Sequence, residues 1–242
     1  MKQLKSIALV LLLVFLGGAG SESTLKFIGP DAVDILGLLP APPAPGSQED
    51  KIDLQAVLDE QAVRTPAETQ LAIADAKMSA FSFSGVIGEW FTAQSCPKTD
   101  ALFREIEADS KYFSRKAKDH WDRPRPPFAD ARVKSVLEAE HEGSYPSGHA
   151  VRGILFATVL AEAFPEQKEP LLRRGQEIGW ERVVAGVHYP SDVIAGRVLG
   201  QALARAMLHD DRLQQRLTEV KLEIEQVRRQ HADVQHPQAS SR

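Results

Sequence analysis

Helical spacing of apolar residues, interrupted at prolines, runs through most of this chain. The alternation of apolar and polar residues that is typical of β-strands is absent. The clearest helix start is Thr65-Pro66-Ala67-Glu68, with Thr placed as N-cap, Pro at the first helical position and Glu three residues after the cap. The pattern therefore predicts an all-α fold, built as a single-domain helical bundle.

Helix positions follow from this spacing and from the residues that break it. Helices are predicted over residues 53–62, 65–78, 99–120, 148–164, 169–185, 190–208 and 210–234. Residues 82–88 are small and include glycine, so they are predicted as a turn or loop. The last helix has an apolar stripe that suits a short coiled coil or, as we expect, packing on its own domain.

The two ends of the chain differ from its middle. Lys2, Lys5, an apolar run over 7–16 and small residues up to Gly20 predict a signal peptide over 1–20. The run is shorter than the roughly 20 residues that span a membrane, so we expect cleavage, export and no stable membrane insertion. An uncleaved anchor is the alternative. Residues 21–46 are predicted as an extended Pro-rich arm, 47–234 as the helical domain and 235–242 as a flexible tail.

Composition limits the classes of function. Lys and Arg total 29 against 33 Asp and Glu, a net charge of −4, so no global positive field attracts nucleic acid. Any anion site must therefore be local. The one cysteine, Cys96, excludes a disulfide scaffold, and no Cys/His cluster has zinc-finger spacing. Cys96 is expected to be a passive thiol, with an intermolecular disulfide as the alternative.

Chemistry-bearing residues fall into three short blocks separated by helical stretches. They are Lys118 with Arg125-Pro126, then Tyr145-Pro146-Ser147-Gly148-His149, then Arg182 with His188 and Asp192. In the middle block Ser147 is placed to cap a helix that starts at Gly148, and the N–H groups of such a helix start bind anions. Gly148 allows close approach of a ligand, and His149 would lie beside it. A capped helix with a surface histidine is the alternative.

In the third block, His188 and Asp192 are four residues apart. If the helix reaches back to His188, the carboxylate can accept the Nδ1 proton and leave Nε2 free to attack, as a nucleophilic histidine requires. An ordinary pair on a helix face is the alternative. Lys118, Arg125 and Arg182 are cations that suit phosphate and repel a divalent metal, so a phosphate site is favoured over a metal site. The alternative is that these cations belong to a basic face of the protein that is exposed to solvent.

These blocks resemble the bacterial class A nonspecific acid phosphatases of the type 2 phosphatidic acid phosphatase and vanadium haloperoxidase superfamily. That pattern has Lys, six residues and Arg-Pro, then Pro-Ser-Gly-His, then Ser-Arg, five residues, His, three residues and Asp. Lys116 with Arg123-Pro124 also satisfies the first spacing, and we prefer Lys118 with Arg125. Two positions depart: Glu181 stands in place of Ser, and Ala150 in place of Thr. We expect Glu181 to be exposed to solvent.

The resemblance implies an all-α fold of that type and a metal-independent acid phosphatase with no cofactor. It implies that His188 attacks phosphorus, that Asp192 orients His188 and that His149 protonates the leaving alkoxide. Three cations and two backbone groups would hold the phosphoryl oxygens: Lys118, Arg125, Arg182, Ser147 and Gly148. Small phosphomonoester substrates, transfer of phosphate to alcohols, a periplasmic location and a homo-oligomer are also expected, with an optimum on the acid side of neutrality.

Two other functions remain open at this point. A vanadium haloperoxidase would use the same cradle, although those enzymes resemble larger chains. A noncatalytic phosphate-binding or helical interaction module would need the cations but neither histidine, so the presence of both His149 and His188 favours an enzyme.

Overall fold

The computed structural model describes residues 25–235, without the side chains of 233–235. Every regular element in that range is helical, which confirms the all-α prediction. The predicted signal peptide, 1–20, and all but the first residue of the predicted tail, 235–242, lie outside the described residues. Among the helices described, none combines the length and the apolar character needed to cross a membrane.

Ten α-helices lie between residues 25 and 235, three of them only four residues long. They are α1 (Ile35–Leu38), α2 (Gln48–Val63), α3 (Pro66–Ala74), α4 (Ser84–Ile87), α5 (Pro97–Trp121), α6 (Pro126–Ala129), α7 (Gly148–Ala161), α8 (Lys168–Val184), α9 (Pro190–Leu208) and α10 (Asp211–Gln235). Short 3₁₀ helices cover Asp75–Lys77, Ala80–Phe83 and Pro165–Gln167.

The predicted capping box at the start of α3 is present, since Thr65 Oγ1 accepts from Glu68 N–H and Glu68 accepts from Thr65 N–H. The turn or loop predicted over 82–88 is wrong. That stretch contains the end of a 3₁₀ helix and all of α4, and α4 ends at Gly88 with φ at 134°. The helical turns form because they bury Phe83, which is fully enclosed in the core.

Helix α7 lies at the centre, packed between α8 and α9. A Cβ on Gly153 would come within 2.4 Å of the Gly175 carbonyl oxygen of α8, and one on Gly200 of α9 would come within 2.5 Å of the Val151 carbonyl oxygen. Only glycine allows the helices to approach this closely. The close packing fixes the start of α7 against the start of α9, and the second and third sequence blocks lie there.

The segment predicted as an extended arm packs on the domain over its first half. Phe27, Ile28, Ile35 and Leu39 are buried in the main hydrophobic core. The Asp109 carboxylate of α5 accepts the N–H groups of Lys26 at 2.8 Å and Phe27 at 2.9 Å. Burial of apolar residues therefore ties this segment to the helices, and the proline-rich part after Leu39 remains without a helix.

The apolar stripe of α10 packs on its own domain, as expected. Leu213, Leu217, Val220 and Ile224 are at most 2% exposed within a single chain. Cys96 is also fully buried, and burial raises the pKa of its thiol to about 11. A thiol with so high a pKa reacts slowly, which agrees with the passive role expected from the sequence.

Candidate active site

The three sequence blocks meet at one cavity of about 410 Å³. Its wall includes Lys118, Arg125, Gly148, His149 and His188. Three other predicted residues lie behind the wall: Ser147, Arg182 and Asp192 are each at most 1% exposed and do not line the cavity. The structure thus places all eight predicted residues in one region. Five of them line the cavity and three are buried behind its wall.

The preferred register of the first block is the one that reaches the cavity. Lys118 is on the buried face of α5, and Arg125 immediately precedes α6. Lys116 points to the surface instead, with its Nζ 4.0 Å from Asp31. Arg123 is buried but lies behind the wall and contacts Asp192.

His188 and Asp192 form the predicted pair for a different local reason. Helix α9 starts at Pro190, so it does not reach back to His188. Asp192 is the third residue of the helix, and its Oδ2 folds back to accept the Tyr189 N–H at 2.9 Å. The same oxygen lies 3.2 Å from His188 Nδ1. An N-terminal cap, rather than a shared helix face, therefore aligns the carboxylate with the imidazole.

The surroundings of His188 determine its tautomer. Arg125 Nη1 lies 3.2 Å from His188 Nε2, and an arginine can only donate, so Nε2 accepts and carries no proton. The ring proton is then on Nδ1, toward Asp192. Burial lowers the pKa of His188 to about 3. The hydrogen bond with Asp192 opposes this shift, and the positive charge of Arg125 adds to it. The imidazole is therefore neutral above about pH 3.

Asp192 is held by a buried network that the sequence analysis missed. Its Oδ2 accepts from Ser144 Oγ at 2.5 Å, and its Oδ1 accepts from Arg123 Nη1 at 2.8 Å. Arg123 in turn donates to Asp53 of α2 at 2.9 Å. Burial alone would raise the pKa of Asp192, but hydrogen bonds and charge from His188 and Arg123 outweigh it and lower the pKa. The sequence held one indication of Arg123, since Lys116 with Arg123-Pro124 also satisfies the spacing of the first block.

The start of α7 is joined to this network. Ser147 caps the helix by accepting from Ala150 N–H, and its own N–H donates to the Asp192 carbonyl at 3.0 Å. The first N–H groups of an α-helix have no partner within the helix, and they carry its positive dipole end. Gly148 and His149, the first two residues of α7, both line the cavity, so this helix end lies at the cavity wall.

Two carboxylates of the loop before α7 form ion pairs with cations that line the cavity. Glu142 forms an ion pair with Lys118 Nζ, and Glu140 Oε2 lies 2.7 Å from Arg125 Nη2. Burial lowers the pKa of Lys118, followed in size by the charge of Arg125. Burial would raise the pKa of Glu142, but the Lys118 and Arg125 charges outweigh it and lower the pKa. Both carboxylates were also missed, because a loop has no periodicity to mark them.

Comparison with known proteins identifies the family of this chain. Residues 106–216 match the model of the PAP2 superfamily. The chain is 33% identical over 190 residues to the non-specific acid phosphatase of Salmonella typhimurium, covering 74% of this chain and 76% of that protein. It is 31% identical over 207 residues to that of Providencia stuartii, covering 82% and 84%. This chain belongs to the PAP2 superfamily, in the group of bacterial non-specific acid phosphatases.

The solved structures support the PAP2 fold. A bacterial vanadium-dependent iodoperoxidase superposes with a TM-score of 0.58 at 19% identity, covering 74% of this chain and 53% of the iodoperoxidase chain. At this identity the likeness concerns the fold alone.

One feature of this PAP2 chain contradicts the sequence analysis. Glu181, which stands in place of the superfamily's Ser, was expected to be exposed, but it is 6% exposed. The expectation failed because Glu181 has a buried cation partner: its Oε1 lies 2.7 Å from Arg174 Nη1. Its Oε2 lies 3.5 Å from Arg182 Nη2. Arg182 also donates to the Ala72 carbonyl at 2.6 Å.

Proposed function

We propose that this protein is an acid phosphatase that cleaves small phosphomonoesters through a phosphohistidine intermediate on His188. The observation that carries the proposal is the orientation of His188 in the cavity wall: Nδ1 points to Asp192, and Nε2 keeps its lone pair, which accepts from Arg125 Nη1. A histidine fixed in this tautomer is ready to attack phosphorus. The curated relatives are named acid phosphatases, which supports the phosphatase class.

In the first step, phosphate oxygens replace Glu140 and Glu142 as partners of Lys118 and Arg125. Arg125 Nη1 also exchanges His188 Nε2 for a phosphate oxygen, which frees the Nε2 lone pair. His188 Nε2 attacks phosphorus and the bond from phosphorus to the leaving oxygen breaks. The leaving oxygen takes a proton from His149. Positive charge develops on the His188 imidazole, and Asp192 stabilises it. The cations and the N–H groups at the start of α7 stabilise the charge on the equatorial phosphoryl oxygens.

In the second step, water attacks phosphorus and the phosphorus–nitrogen bond breaks. His149 accepts the proton from water, which restores both histidines and releases inorganic phosphate. An alcohol in place of water would give a new phosphomonoester, which is the phosphotransferase activity expected from the resemblance.

His149 must gain a proton when substrate binds. Its Nε2 lies 3.2 Å from the Ala76 carbonyl oxygen and donates to it. Burial, followed in size by the charges of Arg152 and Arg182, holds the pKa of His149 well below its ordinary value. A bound phosphate dianion offsets these positive charges and raises that pKa. We therefore propose that proton uptake accompanies substrate binding, which favours activity on the acid side of neutrality.

Export is part of the proposal, with residues 1–20 as the signal peptide and the periplasm as the destination. Mature protein recovered from the periplasmic fraction should begin at Ser21. An N-terminal sequence that begins at Met1 would overturn the proposed cleavage.

The main experiment measures p-nitrophenol release from p-nitrophenyl phosphate from about pH 4 to about pH 8, with EDTA present. His188→Ala is the test variant, and His209→Ala, which removes an exposed histidine, is the matched control. Activity should survive EDTA, fall by at least about a thousandfold in His188→Ala and persist in the control. Rapid alkaline quench of the wild type should trap phosphate on the protein, and acid should then release it.

Three results would contradict the proposal. Loss of activity with EDTA would indicate a metal-dependent reaction, and an active His188→Ala would exclude that residue as nucleophile. Halide oxidation with vanadate and hydrogen peroxide, in the absence of phosphatase activity, would indicate a haloperoxidase.

A further inference from the structure

The cavity extends beyond the residues of the proposed reaction, and its outer wall carries more cations. Glu107, Lys111, Arg115 and Lys118 recur on α5 at three- and four-residue spacing, and all four line the cavity. At 1.5 Å per residue, Arg115 lies about 4.5 Å and Lys111 about 10.5 Å from Lys118 along the helix axis. One face of α5 therefore leads from the phosphate cradle toward the cavity mouth.

Arg152 contributes a further guanidinium from α7. It lies three residues after His149 on the helix, and its side chain is only 13% exposed. Its Nε is buried and makes no hydrogen bond within the described part of the chain. The carboxylate closest to it in an ion pair is Glu107, at 3.9 Å, and that carboxylate is also 2.9 Å from Lys111 Nζ.

Within the described part of the chain, this arrangement leaves Arg152 and Arg115 with no carboxylate oxygen closer than 3.9 Å. One carboxylate, Glu107, is shared by Arg152 and Lys111, and Arg115 is exposed with no ion pair among residues 25–235. A buried guanidinium that lacks full hydrogen bonding is unfavourable unless a ligand completes it. An anion with two or three acceptor oxygens would supply what Arg152 lacks.

The position of Arg152 relates this charge to the leaving group. Arg152 and His149 both line the cavity, and at three residues apart on α7 they lie on the same face of the helix. His149 is the proposed proton donor to the leaving oxygen, and groups beside it face the part of the substrate that departs. A second anion at Arg152 would thus belong to the leaving group rather than to the transferred phosphate.

We propose that Arg152, extended by Arg115 and Lys111, forms a second anion subsite for phosphomonoesters whose leaving group carries another phosphate or carboxylate. The inference rests on the proposed phosphatase function. Along the axis of α5, Arg115 and Lys111 lie about 5 to 10 Å from Lys118, which sets the expected separation between the second anionic group and the transferred phosphate.

The test compares butane-1,4-diol bisphosphate with butyl phosphate, which differ in the second anion. Phosphate release gives kcat/KM for each substrate at low ionic strength. After correction for the two equivalent ends of the bisphosphate, the wild type should prefer it by at least about tenfold. The preference should shrink in about 0.5 M sodium chloride, because salt screens charges at the cavity mouth.

Arg152→Gln should reduce the preference by at least about fivefold, mainly through KM of the bisphosphate. Arg115→Gln, at an exposed position, should reduce it by a smaller factor and covers the case in which Arg152→Gln fails to fold. Arg173→Gln removes an exposed guanidinium of α8 outside the cavity and should leave the preference unchanged.

The possible outcomes distinguish failure of the second anion subsite from failure of the proposed phosphatase function. Hydrolysis of neither substrate would mean that the phosphatase proposal fails. Hydrolysis of both at equal kcat/KM, or a preference that persists in both Arg152→Gln and Arg115→Gln, would overturn the second subsite while leaving the phosphatase intact.

Discussion

The charged groups on the two sides of His188 differ in how exposed their ion-pair partners are. Behind the imidazole, Asp192 and Arg123 are buried, and Asp53 completes the network with a side chain only 10% exposed. In front of it, the carboxylates that face Lys118 and Arg125 belong to a loop, and the Glu140 and Glu142 side chains are 69% and 40% exposed. The rear partners form a fixed support, whereas the front partners can be replaced by a ligand.

This difference suits the proposed reaction. A nucleophile needs one orientation through every turnover, and groups without access to water hold it at little cost in reorganisation. Phosphate-binding cations must exchange partners in each cycle, so their resting carboxylates have to be close to solvent. The following predictions test the contrast between the rear network and the front cations.

Asp192→Asn should have the largest effect on catalysis. The amide would donate to His188 Nδ1 and move the ring proton to Nε2, where it blocks attack. We expect kcat to fall by about a thousandfold or more, as for other histidines deprived of the orienting carboxylate. Vanadate should still bind, since the cations remain. Asp130→Asn, at an exposed ion pair with Arg132, is the control, and kcat within tenfold of wild type in Asp192→Asn would contradict the rear network's role.

Arg123→Met should have the largest effect on stability. It leaves the buried Asp192 and Asp53 carboxylates without their cation, a change that costs about 3 to 5 kcal/mol for buried pairs. The melting temperature should fall by roughly 10 °C for a domain of this size. Arg132→Met, whose ion pair is at the surface, should stay close to wild type. Equal melting temperatures for the two variants would mean that the rear network contributes no more than a surface pair.

Features that depend on residues close together in the sequence were predicted from the sequence. Helix α9 has the predicted bounds, because Pro190 starts it and the apolar spacing continues to Leu208. His188 and Asp192 were paired correctly from their spacing, although an N-terminal cap aligns them. Residues within one block, or at a helix start, leave a local signal that sequence analysis can use.

Long-range polar partners leave no such signal. Asp53 reaches Arg123 across 70 residues, and Ser144 reaches Asp192 across 48. Glu181 was misjudged because its exposure depends on Arg174, one turn beyond the usual helix-pair spacing. The pairings of Asp53 and Ser144 follow from how α2, α9 and the loop before α7 pack, which the spacing of apolar residues alone does not determine.

Glu142→Gln should have a moderate effect at the front. Phosphate no longer has to displace a charged carboxylate from Lys118, so inorganic phosphate should inhibit at about three- to tenfold lower concentration. The gain is limited because Glu142 is partly exposed and solvent screens its charge. Glu138→Gln, an exposed position in the same loop, is the control. Weaker inhibition by phosphate in Glu142→Gln would mean that this carboxylate supports the cradle instead of competing with phosphate.

Glu181→Gln should have the smallest effect. It tests whether Glu181, which lies with Arg174 and Asp75 outside the rear network, changes its protonation between acid and neutral pH. Burial, followed in size by the neighbouring Asp75, raises the pKa of Glu181 to about 7 from its ordinary 4.5. The folded chain therefore binds more protons than the unfolded chain between these values. The resulting stabilisation is complete below pH 4.5 and is lost as the pH rises through 7.

In Glu181→Gln this loss is absent, so between pH 4.5 and pH 7 the melting temperature of the wild type should fall relative to the variant by roughly 5 °C. Other titrating groups, including His149 and His188, are shared by both proteins and cancel in the difference. Glu177→Gln, at a half-exposed neighbour, should follow the wild type. Parallel curves for wild type and Glu181→Gln would mean that Arg174 and Arg182 keep the carboxylate ionised, so that this cluster behaves like the fully paired network behind His188.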